Sequence, residues 1–176
     1  ADTVCIDIPV NISNLSPAGS YSWVYGPGAI PPSSSALNPV VTFTTPGFHD
    51  ITLTINGACP DDTTITVFVE QVTAEFISNP EYSCSSPMDI TFTPLQTGLA
   101  EYFWEFHDGD ESILESPSHT YMVMDTTIYS INGPRDTINY FTTTLYVTSA
   151  AGCMAEFSST DTIHEPNALS FPNVVQ

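Results

Sequence analysis

Polar and apolar residues alternate along most of this chain with a period of two. Between positions 49 and 55, His49, Ile51, Leu53 and Ile55 fall on one side, and Asp50, Thr52 and Thr54 on the other. The alternation returns late in the chain, where Phe141, Thr143, Leu145 and Val147 oppose Tyr140, Thr142, Thr144, Tyr146 and Thr148. Successive side chains of a strand point to opposite faces, so this is the pattern of antiparallel strands with one face buried. Further strands are predicted at "TVCIDIPVNI", "TTITVFVEQV", "AEFIS", "MDITFTPL" and "SSTDTIHE", with Gly- and Pro-marked turns between them. Thr and Ser are abundant and long runs of helix formers are absent, so the fold class is all-β and the architecture a β-sandwich.

The pattern occurs twice. The first copy runs from Cys5 through "SYSWVYGPG" with Trp23 to "NPVVTFTTPGFHDITLTINGAC", ending at Cys59. The second runs from Cys84 through "EYFWEF" with Trp104 and "SPSHTY" to "YFTTTLYVTSAAGC", ending at Cys153. Two tandem sandwiches are therefore expected, over residues 1–72 and 73–165, with 166–176 a linker or the start of a following segment. The link near "EQVTAEF" lacks a Gly/Ser tract, which predicts a stiff end-to-end arrangement. Four cysteines allow three connectivities, and none forms a C-x-x-C pair of the kind zinc or thioredoxin-like chemistry uses. The repeat, with one Trp between two Cys in each copy, selects Cys5–Cys59 and Cys84–Cys153, one bridge per sandwich. In the loop-entropy view each would stabilise its domain by roughly 4 kcal/mol. Disulfides imply an oxidising location, at the cell surface, secreted or periplasmic, and the expected one is extracellular, at the cell surface.

Charge narrows the list of partners. Twenty acids face one Arg, Arg135, and no Lys, for a formal net charge of −19. Such a surface repels phosphate backbones and anionic lipid, so nucleic acid is excluded as a partner. The absence of Lys removes Schiff-base chemistry and Lys–Asn isopeptide crosslinks. No apolar run approaches the ~20 residues that span a bilayer, and no basic-then-apolar leader opens the sequence, so direct membrane insertion is not expected. An export signal, if the protein has one, would lie outside this sequence.

The second copy resembles a PKD domain, an immunoglobulin-like sandwich, through "WEFHDGDES", "SPSHTY" and "FTTTLYV". The first copy is similar to the looser PKD-like version in bacterial surface proteins, through "YSWVYGPG", "NPVVTF" and "PGFHDITLTI". Two departures stand out: His107 replaces the Gly before Asp-Gly, and His49 fills a slot where the family often has Tyr. "MDTTIYSINGPRDTI" reads as an inserted hairpin over about 124–139, whose Tyr129, Arg135 and Tyr140 are candidate contact residues. The flanking cysteines resemble domains of Bacteroidetes cell-surface proteins, and "ALSFPNVVQ" resembles the lead-in to the sorting domain of type IX secretion cargo. Thr3, Thr63, Thr126, Thr137 and Thr162, each after Asp, resemble that phylum's O-glycosylation motif.

Candidate chemistry concentrates at one turn. Asp108, Asp110 and Glu111, set around Gly109, offer the oxygen ligands of a weak calcium site, although the resemblance implies that the turn Asp caps backbone N–H groups. No other cofactor is implied. His119 and His49 read as structural histidines, and Trp23 and Trp104 as core residues. No H-E-x-x-H, G-x-S-x-G or phosphate loop occurs, and paired cysteines leave His107 without a nucleophile to activate, so no enzyme is expected. The sequence thus points to a non-catalytic structural and adhesive module of an exported surface protein or filament. Its expected partners are other copies or domains of that protein, and glycans. The alternatives are an accessory module of a secreted hydrolase and a surface-layer protein.

Overall fold

The computed structural model describes residues 2–16, 19–56, 60–84, 86–122 and 137–165, without the side chains of Thr137, Ile138, His164 and Glu165. The chain divides into two compact units, Ala1–Val72 with Ser149–Cys153 and Thr73–Thr148 with Met154–Gln176. The described residues form strands and turns only.

The first unit contains β1 (Thr3–Cys5), β2 (Val10–Asn11), β3 (Ser20–Tyr25), β4 (Ala29–Ile30), β5 (Ser33–Ser34), β6 (Val40–Phe43), β7 (Gly47–Asn56) and β8 (Asp61–Glu70). They make a five-stranded sheet in the order β1-β8-β7-β3-β5 and a three-stranded sheet in the order β2-β6-β4. Between the sheets lie Trp23 and Tyr25 from β3, Val41 and Phe43 from β6, Ile51 and Leu53 from β7, and Val67 and Val69 from β8. The inward residues are those the period-two pattern placed together, because one face of each strand is closed by the other sheet.

The second unit contains β9 (Phe76–Asn79), β10 (Tyr82–Ser83), β11 (Met88–Pro94), β12 (Glu101–Glu105), β13 (Glu111–Ser112), β14 (Ser118–Tyr121), β15 (Thr137–Thr148) and β16 (Met154–Glu165). Its sheets run β10-β16-β15-β12-β13 and β14-β11-β9. Along β11, Met88, Ile90, Phe92 and Pro94 are buried and the residues between them exposed. These meet Trp104, Tyr121, Leu145, Val147 and Ile163 in the core, with Phe76 and Phe92 against the Trp104 ring at 5.0 and 5.6 Å. In both units the last two strands and the Trp strand share a sheet, while β2 pairs with β6 in the other sheet of the first unit and β11 with β14 in that of the second. That is the strand arrangement of an immunoglobulin-like sandwich.

The two copies also share hydrogen bonds that no alternation pattern shows. Trp23 registers with Ser34 and Trp104 with Ser112 across the edge of the sheet. The Trp23 indole Nε1–H donates to the Ala36 carbonyl at 2.9 Å, and that of Trp104 to the Leu114 carbonyl at 2.8 Å. In each case the serine hydroxyl accepts from the backbone N–H two residues on, of Ala36 or Leu114.

The expected cysteine pairing is corrected by the structure. Cys5 is bonded to Cys153, and Cys84 is an exposed free thiol; Cys59 lies outside the described residues. The reason is where the strands carry each sulfur. Cys84 follows β10, whose Ser83 registers with Ile163 near the end of β16, whereas Cys153 precedes Met154 at that strand's start. At ~3.3 Å per residue the two are on the order of 30 Å apart, far beyond the roughly 6 Å between bridged Cα atoms. The β15–β16 turn, Ser149–Cys153, belongs instead to the first unit. There the Ser149 hydroxyl donates to the Glu70 carboxylate at 2.6 Å, and Glu70 registers with Cys5 on the parallel β1–β8 pair. The Cys5 and Cys153 Cα atoms are 5.4 Å apart.

Peptide mapping without reductant should recover a Cys5–Cys153 crosslink, and recovery of Cys84–Cys153 would overturn the observed path. Replacing both Cys5 and Cys153 with Ser should lower stability in urea by at most about 5 kcal/mol, the chain-entropy value for so long a loop.

Candidate functional site

The acid-rich turn after β12 is built by two backbone bonds. The Phe106 N–H donates to the Asp110 carbonyl at 2.9 Å, and the Gly109 N–H to the Phe106 carbonyl at 3.0 Å. Gly109 sits at φ +92°, which a side chain would strain, so the Asp-Gly pair is a requirement of the turn. Asp108 then serves two donors. One carboxylate oxygen accepts from the Asp110 N–H at 3.3 Å, the other from His119 Nε2 at 2.8 Å. The His119 ring lies flat on Phe106, with centroids 4.1 Å apart, and meets Tyr121 edge-on at 4.7 Å.

This packing brings Asp108, Asp110 and His119 together, with ligand atoms all within 4.8 Å of one another. Glu111 opens β13 opposite Glu105 and is not among them. The donor set is therefore two carboxylates and an imidazole rather than three carboxylates. Imidazole suits zinc, nickel or copper, while calcium takes oxygens. The side chains already partner one another, and an ion would have to displace the His119–Asp108 bond. His119 joins through its tertiary position; its place in "SPSHTY" marked it in sequence as structural, a role its stacking and hydrogen bond supply.

The other singled-out residues are dispersed. His49 is buried against Phe43, and its Nε2–H donates to the Thr45 carbonyl at 2.8 Å. His107 meets Phe141 edge-on at 5.9 Å. Thr3 and Thr63 are exposed on β1 and β8, and Thr162 is half-buried on β16. Tyr140 is exposed on β15. Thr126, Tyr129 and Arg135, with most of the expected hairpin, lie outside the described residues, as does the Thr137 side chain.

One residue with chemical capacity was missed. Asp161, on β16, is 1% exposed. The Ser78 hydroxyl of β9 donates to one of its carboxylate oxygens, and the other has no hydrogen-bond partner. Burial raises its pKa above the ordinary 3.8, the Ser78 bond partly offsets this, and the Glu81 charge adds to the rise. The signal was present in "SSTDTIHE": Asp161 has the parity of Ile163, which points inward. With Ser78, Glu81, Ser159 and Thr160 it lines a groove of about 210 Å³.

No family model and no curated protein matches this chain. Among solved structures it is similar to the amphioxus IgVJ-C2 molecule, at 10% identity over 90% of this chain and 98% of that one, with a TM-score of 0.34. Strand order and packing make the fold immunoglobulin-like, and no helix of the described residues is long and apolar enough to cross a membrane.

Asp161 makes stability depend on pH with a definite sign. A folded pKa raised above 3.8 means that, between 3.8 and the raised value, the folded chain binds more protons than the unfolded one. Stability then falls as pH rises through that window. Wild type should lose ground to Asp161→Asn over this range in urea titrations at stepped pH. A difference that does not vary with pH would show that Asp161 keeps its ordinary pKa.

Proposed function

We propose that this chain is a non-catalytic structural and adhesive module of an exported, multidomain cell-surface protein. The observation that carries the reading is the Cys5–Cys153 disulfide, which ties residues 148 positions apart and belongs to chains matured in an oxidising compartment. The disposition of the reactive side chains supports it. Both indoles, His49 and His119 are committed to hydrogen bonds within their own sandwiches. The Tyr121 hydroxyl likewise bonds the buried Thr143 hydroxyl at 2.8 Å. The outward faces carry hydroxyls and acids instead: Thr52 bonds Thr64, Thr142 bonds Thr160, and Thr144 bonds Ser158.

On this reading the sandwiches are PKD-like. Phe92 and Phe106 connect the buried Trp104 to His119 of "SPSHTY", which in turn bonds Asp108 of the Asp-Gly turn. O-glycans on Thr3 and Thr63, and contacts with other copies through the outer sheet faces, belong to the same proposal.

Protease shaving of intact source cells tests it. Release of peptides from this chain without lysis is the expected result. Protection of the chain until the cells are broken would refute surface exposure. Purified protein should also sediment with the source cells' own wall or capsular polysaccharide, or with additional copies of itself; sedimentation with neither would remove the adhesive part.

A further inference from the structure

The two sandwiches can be aligned rung by rung from their ladders. Trp23 registers with Leu53 as Trp104 registers with Leu145. Two inward positions earlier on the same strands stand His49, opposite Val67, and Phe141, opposite Asp161. Val67 is buried at 5% exposure and Asp161 at 1%. The fold thus accepts an aliphatic side chain at this place, and in the first unit has one. In the second it carries an acid that costs free energy to bury and has one oxygen without a partner.

The surroundings explain what that oxygen could serve. After β9 the chain leaves one sheet and crosses at Pro80 and Glu81 to join the other as β10, with the Thr162 N–H donating to the Glu81 carbonyl at 3.1 Å. The crossing leaves the groove lined by Ser78, Glu81, Ser159, Thr160 and Asp161. Its oxygen donors are the Asp161 and Glu81 carboxylates and the Ser78 and Ser159 hydroxyls, the Thr160 hydroxyl being turned outward to Thr142; no nitrogen or sulfur ligand stands among its lining residues, and no cation among them balances the two acids.

We propose that this groove is a calcium site, with the free oxygen of Asp161 as its buried ligand and the Glu81 carboxylate as its solvent-side ligand. The oxygen-only donor set selects a hard cation. Oxygen donors fixed at irregular positions by the strands and the crossing suit Ca²⁺, whose coordination is flexible, over Mg²⁺, which demands near-ideal octahedral geometry. Binding would pin the sheet-to-sheet crossing to β16 and give the orphan oxygen a partner. The site is separate from the Asp108 turn and does not depend on the surface-module reading.

Calorimetric titration of the whole chain with CaCl₂ alone, after chelator treatment, tests the proposal. Wild type should bind with Kd on the order of 10⁻⁴–10⁻³ M, the weak end of the calcium range, as two carboxylates imply, and its Tm should rise in about 10 mM Ca²⁺. Asp161→Val, which copies Val67 of the first unit, should abolish one equivalent of binding and be at least as stable as wild type in chelator. Glu81→Gln, at an exposed position, should fold normally and weaken binding about tenfold or more. Calcium binding equal in wild type and both variants, or no calcium response in wild type, would overturn the proposal. If Asp161→Val fails to fold, the Glu81→Gln comparison decides alone.

Discussion

A tryptophan buried between two sheets must put its indole N–H on an acceptor inside the protein, and in both copies of this fold that demand is met in the same way. The acceptor is a carbonyl two residues beyond the serine that pairs with the Trp across the ladder. Satisfying it draws the short edge strand, β5 or β13, and the chain after it against the Trp strand. An unmet buried donor would cost about 1–3 kcal/mol, a large part of a small domain's stability. Packing then follows from the ring's position. In the second unit Phe76 and Phe92 lie against Trp104, and Phe106, two residues on, supports the stacked His119. The Asp-Gly turn that looked like chemistry is held in place by this chain of contacts.

What the sequence made legible follows from the geometry of a strand. With one face closed by a partner sheet, a one-residue slip would expose the whole inward set, so alternation is strongly imposed and easily read. β11 and β15 show it plainly. The two-residue strands β2, β4, β5, β10 and β13 carry too few residues for any period, and they were not legible. The cysteine pairing failed for another reason. Repetition of Cys-Trp-Cys implied a repeated bond, but bonding is decided by which ends of strands meet. Cys84 and Cys153 are bound to opposite ends of β16, and Cys153 rides a turn that packs with Glu70 and Cys5. At the turn, Asp108 and Asp110 were visible as candidates, whereas His119 joined them only through the pairing of β14 with β11.

The composition is intelligible in the same terms. A chain with one Arg and no Lys cannot lace its exposed strand faces with opposite-charge pairs. It uses hydroxyl pairs instead: Thr52–Thr64, Thr142–Thr160 and Thr144–Ser158 stand opposite each other and bond at 2.8–3.1 Å. Cross-strand pairs of this kind contribute roughly 0.2–1 kcal/mol each, and threonine's branched Cβ adds strand preference. The acids then serve solubility. A net charge of −19 opposes the edge-to-edge pairing that free strand edges otherwise invite.

Duplication supplies an internal control on what the sandwich requires. Positions that agree between copies, such as the two Trp and the serines opposite them, are explained by packing and hydrogen bonding alone. A difference such as His49 against Phe141 is explained that way too, but the unpartnered oxygen of buried Asp161 is not. Val67 shows that an aliphatic residue fills this inward position adequately, so a buried acid at the matching rung gives up stability that this fold could have kept. Proteins tolerate such losses mainly where a site needs them. On that argument Asp161, inconspicuous in the sequence, marks the second sandwich's site more strongly than the conspicuous acids of the Asp-Gly turn, whose partners are already in place.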